Sequence, residues 1–366
     1  MKLGIVGLPN VGKTTLFNAL THGNAAATAY AYTSAESNHG VVAVPDFRLD
    51  RLDEVLETPK KVNATIDIVD IAGLAEGASH GEGLGNRFLA DIRGVDAVAH
   101  VIRAFANQEV AHVRDTVDPR ADVELVETEL VLGDLELVER RIEKARKTAR
   151  SGVKAAQREL ATLEGLVAAL KQGRLARSVE RAPEDAPLFR ELALVSDRPV
   201  LFVLNTDDDE AVHAALAAHA DFVERARERG DQVVVVAARL EAELADLEPE
   251  EAAEFRAELG AGEAGAVDVF LRAAYEVLGY ITFFTGDFRS SESRAWQLPR
   301  GWSAKQAAGR IHSDIEHGFV RAQVVNIEDL IELGSFHAAR EKALLRTEGR
   351  EYVVKDGDVI NFMHTG

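Results

Sequence analysis

Gly7 to Thr14 reads GLPNVGKT, a complete match to the pattern G-x-x-x-x-G-K-[ST]. In such a loop, glycines let the backbone close on phosphate, and N–H groups at the start of the next helix point at its oxygens. The lysine of the pattern, Lys13, can reach the β- and γ-phosphates of a nucleoside triphosphate. The Thr14 hydroxyl can reach Mg²⁺. Asn10, Val11, Gly12, Lys13, Thr14 and Thr15 are therefore the phosphate-side candidates. Pro9 has no N–H and belongs where none is required. The flanks suit the motif. Lys2 to Val6 alternates like a strand, and Leu16, Phe17 and Leu20 continue as one side of a helix.

A second group follows at Ala64 to Gly73, ATIDIVDIAG. Alternation over Thr65 to Val69 predicts a strand ending on Asp70, whose carboxylate can hold Mg²⁺ directly or through water. Gly73, three residues on, can offer a backbone N–H to the γ-phosphate and couple phosphate state to the next loop. That loop is dense in glycine, with Gly77, Gly81, Gly83 and Gly85. It reads either as a nucleotide-ordered switch or as a flexible surface turn. His80 lies within it, as a candidate for orienting water or as an exposed loop histidine. Leu74 follows Gly73, and an aliphatic side chain cannot orient water. Between Thr21 and Pro45 the hydroxyls Thr33, Ser34 and Ser37 are possible metal or phosphate contacts, and spacing does not choose among them.

The base end comes later in the chain. Pro199 to Leu204 reads as a buried strand, followed by Asn205 and Asp208 in N-T-D-D. This keeps the spacing of the guanine-reading N-K-x-D box but has Thr206 in place of its lysine. A turn cap followed by a solvated acidic run is the plain alternative. Val233 to Val236 is the next strand, and the loop Ala237-Ala238-Arg239 after it can frame a base with backbone groups.

The remaining elements must hold these pieces. Asp118-Pro119 opens a long Glu/Leu/Ala/Arg stretch in which Leu130, Leu135, Val138 and Ile142 recur at helical spacing. Ser151-Gly152 can break it, and Ala155 to Leu170 reads as a second helix, giving an antiparallel hairpin or small coiled coil. Arg140, Arg141, Lys144 and Lys147 lie on it, either facing an RNA backbone or paired at i,i+4 on a solvated face. In the tail, Tyr280 to Thr285 and Phe319 to Val325 read as strands and Ala304 to Glu316 as a helix. Leu330 to Leu333 and Ala338 to Leu345 are short helical candidates. Glu351 to Lys355 and Val359 to Met363 flank Asp356-Gly357-Asp358 like a hairpin. Arg310 and Arg321 are further RNA-facing candidates there.

Composition bounds the rest. The 366 residues suit two or three domains, and 42 Lys+Arg against 61 Asp+Glu give a net charge of −19. That charge argues against bulk coating of nucleic acid, and DNA is not expected, but a local basic patch stays open. The absence of cysteine excludes disulfides, thiolate catalysis and cysteine-ligated metal. No apolar run of about 18 residues predicts a membrane helix. No secretory core follows the N-terminus, so a cytoplasmic protein is expected.

Four segments carry a family resemblance: GLPNVGKTTLFNALT, VPDFRLDRL, DIAGLAEGASHGEGLGNRFLADIRGVDAV and QAAGRIHSDIEHGFVRA. Together they resemble the YchF family of Obg-like ATPases, within the translation-factor-related P-loop GTPases. The resemblance implies a Ras-like α/β P-loop NTPase domain with an inserted α-helical coiled-coil domain and a C-terminal TGS domain, a ubiquitin-like β-grasp. The implied boundaries are 1–118 and 196–278 for the nucleotide-binding domain, 119–195 for the insertion and 279–366 for the TGS domain. It further implies Mg²⁺-dependent hydrolysis, with ATP slightly favoured over GTP, by a switch associated with the ribosome or structured RNA. A GTP-dependent binding module with very low intrinsic hydrolysis is the alternative. Relatives carry N-x-x-E at the base box, so Asp208 departs toward the guanine-reading form. The first-switch threonine of the family, a metal ligand, falls on Ser34, with Ala31 and Ser37 where the usual prolines stand.

Overall fold

Thirteen strands are described in the computed structural model. They are β1 (Lys2–Val6), β2 (Thr28–Tyr30), β3 (Asn38–Val44), β4 (Lys61–Val62), β5 (Ala64–Asp70), β6 (Ala97–Arg103), β7 (Val200–Asn205), β8 (Gln232–Val236), β9 (Tyr280–Thr285), β10 (Ser293–Pro299), β11 (Phe319–Asn326), β12 (Arg346–Glu348) and β13 (Asp358–His364). The described residues are 2–22, 28–30, 38–73, 84–105, 117–150, 152–207, 212–248, 251–252, 254–255, 265–286 and 291–365. They form two compact units, one of Met1–Val41 with Asp67–Phe270, the other of Val42–Ile66 with Leu271–Gly366.

The first unit is built on a sheet in the order β2-β3-β5-β1-β6-β7-β8. From β5 to β8 the pairings described, β1 with β5 and β6, and β7 with β6 and β8, are parallel. Parallel strands need crossovers and are covered on both faces, so their sequences lose the polar alternation of a half-exposed strand. AVAHVIR in β6 and VLFVLN in β7 are buried at every residue, as that requires. Helix Lys13–His22 follows β1 and sends Leu16 and Leu20 into the core at full burial.

His100 is the exception inside β6. It lies in register between Val6 of β1 and Phe202 of β7, is 4% exposed, and has its ring centre 5.8 Å from that of Phe202. Burial pulls its imidazole from 6.5 down to about 3, and the nearby charges of Lys13 and Arg177 push the same way. The unfolded chain then takes up a proton near pH 6.5 that the native chain refuses until about pH 3. Stability from this group is full above pH 6.5 and falls as pH falls toward 3. Urea titrations of the wild type should lose about 2 kcal/mol between pH 6.5 and 5 beyond what His100→Leu loses. Equal pH slopes in the two proteins would remove His100 from this role.

Helix Pro119–Ala149 starts where expected, with Asp118 accepting from Ala121 N at 3.1 Å and proline in the first turn. Gly152, at φ +77°, provides the left-handed turn before helix Lys154–Lys171. The two helices share a core of Val131, Val138, Ile142, Leu163, Leu166 and Leu170, closed by Phe189 and Leu192 from the returning chain. That return is fastened by Asp134, which is fully buried. Its carboxylate accepts from Val195 N at 3.0 Å, Ser196 N at 2.8 Å and Ser196 Oγ at 2.6 Å. Ser196 Oγ in turn accepts from Ala176 N at 3.1 Å. The chain enters β7 directly after this knot.

The second unit carries a sheet in the order β12-β11-β13-β9-β10-β4. β9 and β10 pair antiparallel, β9 and β13 parallel, and β11 pairs antiparallel with both β13 and β12. Phe283, Leu298, Phe319, Val324 and Ile360 pack against Ala304, Ala307 and Ala308 of helix Ala304–Ile311, which begins with a Ser303/Gln306 capping box. The segment Val42–Ile66 belongs to this unit. Arg48 pairs with Asp356 at 2.7 Å, Thr58 Oγ1 donates to Ser293 Oγ at 2.9 Å, and β4 pairs parallel with β10.

Three expectations in the tail are corrected. Glu351 to Lys355 forms no strand, only an isolated bridge from Val353 to Ser303, so Asp356-Gly357-Asp358 is not a hairpin. β13 finds its partners in β11 and β9 instead, because Gly357 N donates to Thr282 O and Asp356 Oδ1 accepts from Thr282 N. The helix expected over Ala304 to Glu316 is two, Ala304–Ile311 and Ser313–His317, parted by His312 in extended backbone. The helix sought at Ala338 to Leu345 is Phe336–Glu341, capped by Ser335, with β12 following. Among the described residues no helix is long and apolar enough to cross a membrane.

Candidate functional site

The strand order lays the site out along one edge of the first sheet. β1 leads into the glycine loop, β5 on one side ends at Asp70, and β6 on the other leads to Phe105. Beyond it β7 ends at Asn205, and β8 leads to Ala237–Arg239. Ligands of open parallel sheets collect at these carboxyl ends because the βα turns all open there. Asn10, Gly12, Lys13, Thr14, Thr15, Phe105, Asn205, Thr206 and Arg239 enclose a cavity of about 450 Å³.

Lys13, 8% exposed, donates from Nζ to Leu8 O at 2.7 Å, so the loop folds over its own ammonium. Burial pulls its pKa from 10.5 down to about 8, with the Asp70 charge resisting. An ammonium so poorly compensated favours an anion beside it. Gly73 lies against it: a Cβ there would sit 2.8 Å from Lys13 Nζ and 3.3 Å from Pro9 N. The position expected to sense the γ-phosphate thus adjoins the lysine expected to bind it.

Thr14 Oγ1 donates to Asp70 Oδ2 at 2.9 Å. Asp70 is 8% exposed, and burial pushes its carboxyl above the usual range. Hydrogen bonds from Thr14 and Asn38 and the Lys13 charge hold it back. One hydroxyl and one under-compensated carboxylate form a hard oxygen donor set. Mg²⁺ uses such sets, taking one or two carboxylates plus phosphate oxygens and water. Among the described residues no group of three or more His, Asp or Glu could hold a metal, so no all-protein cage competes with that arrangement.

Asn205 joins the phosphate loop to the far side of the site. Its Nδ2 donates to Val11 O at 2.8 Å, and its Oδ1 accepts from Ala238 N at 3.0 Å. Gly12 has φ +97°, and a Cβ there would lie 2.2 Å from Asn205 Nδ2. The glycine serves both the left-handed turn and this close approach. Asn10 takes the same unusual region at φ +61°, which asparagine tolerates best after glycine.

The candidates from sequence thus divide. Asn10, Gly12, Lys13, Thr14, Thr15 and Asn205 meet around one cavity, and Asp70 and Gly73 join them through Thr14 and Lys13. Val11 contributes its carbonyl to Asn205, and Ala238 contributes its N–H. Ala237 caps the short helix Ala238–Leu244. Ser34, Leu74, His80 and Asp208 lie outside the described residues. Arg239, in the loop expected to frame the base, lines the cavity, whereas Phe105 was not anticipated as a cavity wall, nor Asn38 as a partner of Asp70. Phe105 had a usable signal, since it follows the strand that pairs with β1. The Arg103 guanidinium stands 4.4 Å from its ring centre.

The basic hairpin face is mixed. Arg140 pairs with Glu136 at 3.4 Å, and Arg141 with Glu159 at 2.7 Å and Glu191 at 3.2 Å. Lys144 and Lys147, farther along the helix, are exposed. In the tail Arg310 Nε donates to Gln297 O at 3.4 Å, and Arg321 Nε approaches Met363 Sδ at 3.1 Å.

Comparison with known proteins gives two family matches and relatives along the whole chain. Residues 2–132 match a family model described as 50S ribosome-binding GTPase. Residues 280–365 match the YchF-GTPase C-terminal model, described as a protein of unknown function. The ribosome-binding ATPase YchF of Bacillus subtilis is 44% identical over 98% of this chain and 98% of its own length. The Escherichia coli O157:H7 protein of the same name is 43% identical over 99% and 98%. The solved Schizosaccharomyces pombe YchF GTPase is 32% identical, with a TM-score of 0.85 over 99% of this chain and 97% of that one.

Proposed function

The chain belongs to the YchF family of P-loop NTPases, and from that premise we propose that it is a Mg²⁺-dependent triphosphatase. In this reading it favours ATP slightly over GTP and acts as a switch on the ribosome or structured RNA, in the cytoplasm. The observation that supports it is one cavity lined by Lys13, Thr14 and Asn205, with Asp70 bonded to Thr14 and Asn205 bonded to the phosphate loop through Val11 O. The ribosomal partner is supported by the names of the relatives and by the description of the matched N-terminal model.

Thr14 and Asp70 would hold the metal. When bound, Mg²⁺ supplies charge neutralisation across the phosphate oxygens. Lys13 carries the same task from the protein side, as a buried ammonium that need not be reorganised from bulk water. Gly73 leaves room beside Lys13 for a phosphate oxygen and keeps its backbone next to the loop. Asn205 fixes the carbonyl of Val11, so the loop N–H groups hold one direction as phosphate arrives.

The three-part division is carried forward with this reading. The helical hairpin with its own core serves as the coiled-coil domain, 119–195, between nucleotide-binding parts at 1–118 and 196–278. Strands β9 to β13 of the second sheet serve as the core of a TGS-type β-grasp at 279–366. Arg140, Arg141, Lys144, Lys147, Arg310 and Arg321 are its candidate RNA contacts, Lys144 and Lys147 with the freest approach. Ser34 as a metal ligand, His80 as a water-orienting group and Asp208 as a base contact remain part of the same proposal.

Competitive equilibrium binding of ATP and GTP at matched Mg²⁺ tests the nucleotide assignment. ATP should bind at least as tightly as GTP, and tenfold tighter GTP would overturn the preference. Multiple turnover should be slow alone and faster with ribosomes. Negligible turnover in both conditions, with GTP-dependent ribosome binding, would favour a pure binding module.

A further inference from the structure

Asp70 closes β5, and Asn38, which donates a hydrogen bond to its carboxylate, opens β3. The two strands are neighbours in the first sheet, and neither stays within one unit. β3 passes from the first unit to the second between Val41 and Val42, and β5 passes back between Ile66 and Asp67. Asp70, bonded to Thr14, and Gly73, beside Lys13, thus lie at one end of this strand pair. At the other end lies the segment that joins the strands, made of helix Phe47–Leu56 and β4.

That segment is fastened inside the second unit at several points. Leu49, Leu52 and Leu56 are fully buried along one side of the helix. Arg48 pairs with Asp356 at 2.7 Å, and its guanidinium stands 5.3 Å from the ring centre of Phe284 in β9. Asp356 also accepts from Thr282 N of β9 at 2.8 Å. Ser293 N, at the start of β10, donates to Lys60 O at 2.9 Å, and Thr58 Oγ1 donates to Ser293 Oγ at 2.9 Å. Along the strands themselves Val42, Ile66 and Ile68 are fully buried. Close-packed elements shift as bodies because a dense interior does not deform continuously. The third passage between the units, at Phe270 and Leu271, lies in helix Ala266–Val277, which lines no part of the cavity.

We propose that Val42–Ile66 is a coupling element, which carries the phosphate state of the bound nucleotide along β3 and β5 into β9 and β10 of the second unit. This rests on the NTPase reading above and names how that site is regulated. The coupling is reciprocal, so a change made where the segment is fastened to β9 and β10 returns as a change in nucleotide affinity.

The test is amide hydrogen exchange of the full chain with Mg²⁺ and either ADP or a non-hydrolysable ATP analogue. Between the two nucleotides, amides of helix Phe47–Leu56, β9 and β10 should change exchange rate by at least about fivefold, the lower end of ordinary couplings. Arg48→Ala cuts the tie to Asp356. It should keep the response of the phosphate loop, lose most of the response in β9 and β10, and shift the ratio of analogue to ADP affinity by about fivefold. Thr58→Val removes the bond to Ser293 Oγ, is the milder cut, and should weaken the response in the same direction. A wild-type response confined to the first unit overturns the proposal, whatever the variants do. So does a response in β9 and β10 that both variants leave at full size. Either result leaves the NTPase reading standing, whereas a wild type that bound neither nucleotide would end both.

Discussion

Lys13→Ala is expected to lower the single-turnover rate of triphosphate hydrolysis by about 100- to 1,000-fold, the usual effect of removing one prepositioned charge or donor from a transition-state site. The reason lies in how the ammonium is held. Lys13 is buried, tied to Leu8 O, and pulled down to about 8 by desolvation against the opposing field of Asp70. Such a group is costly to keep charged until a phosphate arrives, and most effective once it has. The same substitution removes a poorly compensated buried charge from the empty protein, so its urea midpoint should hold or rise. Loss of rate without loss of stability is the pattern to look for. A rate within threefold of wild type would refute the phosphate assignment, and a collapse in stability would make Lys13 structural instead.

The second large effect is on folding. Asp134→Ala should destabilise the protein by about 3 kcal/mol, because two backbone N–H groups and one hydroxyl are left buried without their acceptor. Those donors are Val195 N, Ser196 N and Ser196 Oγ, and they stand where the chain leaves the helical hairpin for β7. Asp134→Asn keeps the shape and an acceptor and should lose less. Nucleotide affinity of the folded fraction should change little, since Asp134 does not line the cavity. Urea unfolding of the two variants measures this directly, and a loss under 1 kcal/mol for alanine would show that water replaces the carboxylate.

Asp134 also shows why part of the fold was not legible in the chain. In GDLELVERR it looks like any acidic residue on a charged helix. Its acceptors are used by donors about sixty positions away, and no local period records that. Arg48 is similar: its partner Asp356 comes from the far end of the sequence, and the pair ties Val42–Ile66 into the second unit. The expected hairpin at Asp356-Gly357-Asp358 failed for the same kind of reason. A turn motif proposes that its flanks pair with each other, but β13 had better partners in β11 and β9.

The candidate site was more legible because its chemistry is contiguous. Lys13 and Thr14 follow a glycine loop within one strand–helix unit, and Asp70 ends a strand whose alternation is plain. The base end was half legible. Asn205 could be placed by spacing, but its double hydrogen bond to Val11 and Ala238 could not, and Phe105 became a wall only when β6 took its place between β1 and β7.

By itself, then, the sequence determined the phosphate chemistry, the strands and helices of the α/β core and the helical interruption. Each is written in local spacing: a loop that needs glycine and lysine, strands that need continuous apolar runs, helices that need a 3.6-residue period. Tertiary structure alone decided the side of the sheet to which each loop was delivered, which buried carboxylate would hold which backbone, and that Thr206 would line the cavity with its hydroxyl unpaired. Those outcomes depend on strand order and burial, and both arise from pairings between residues far apart in the chain.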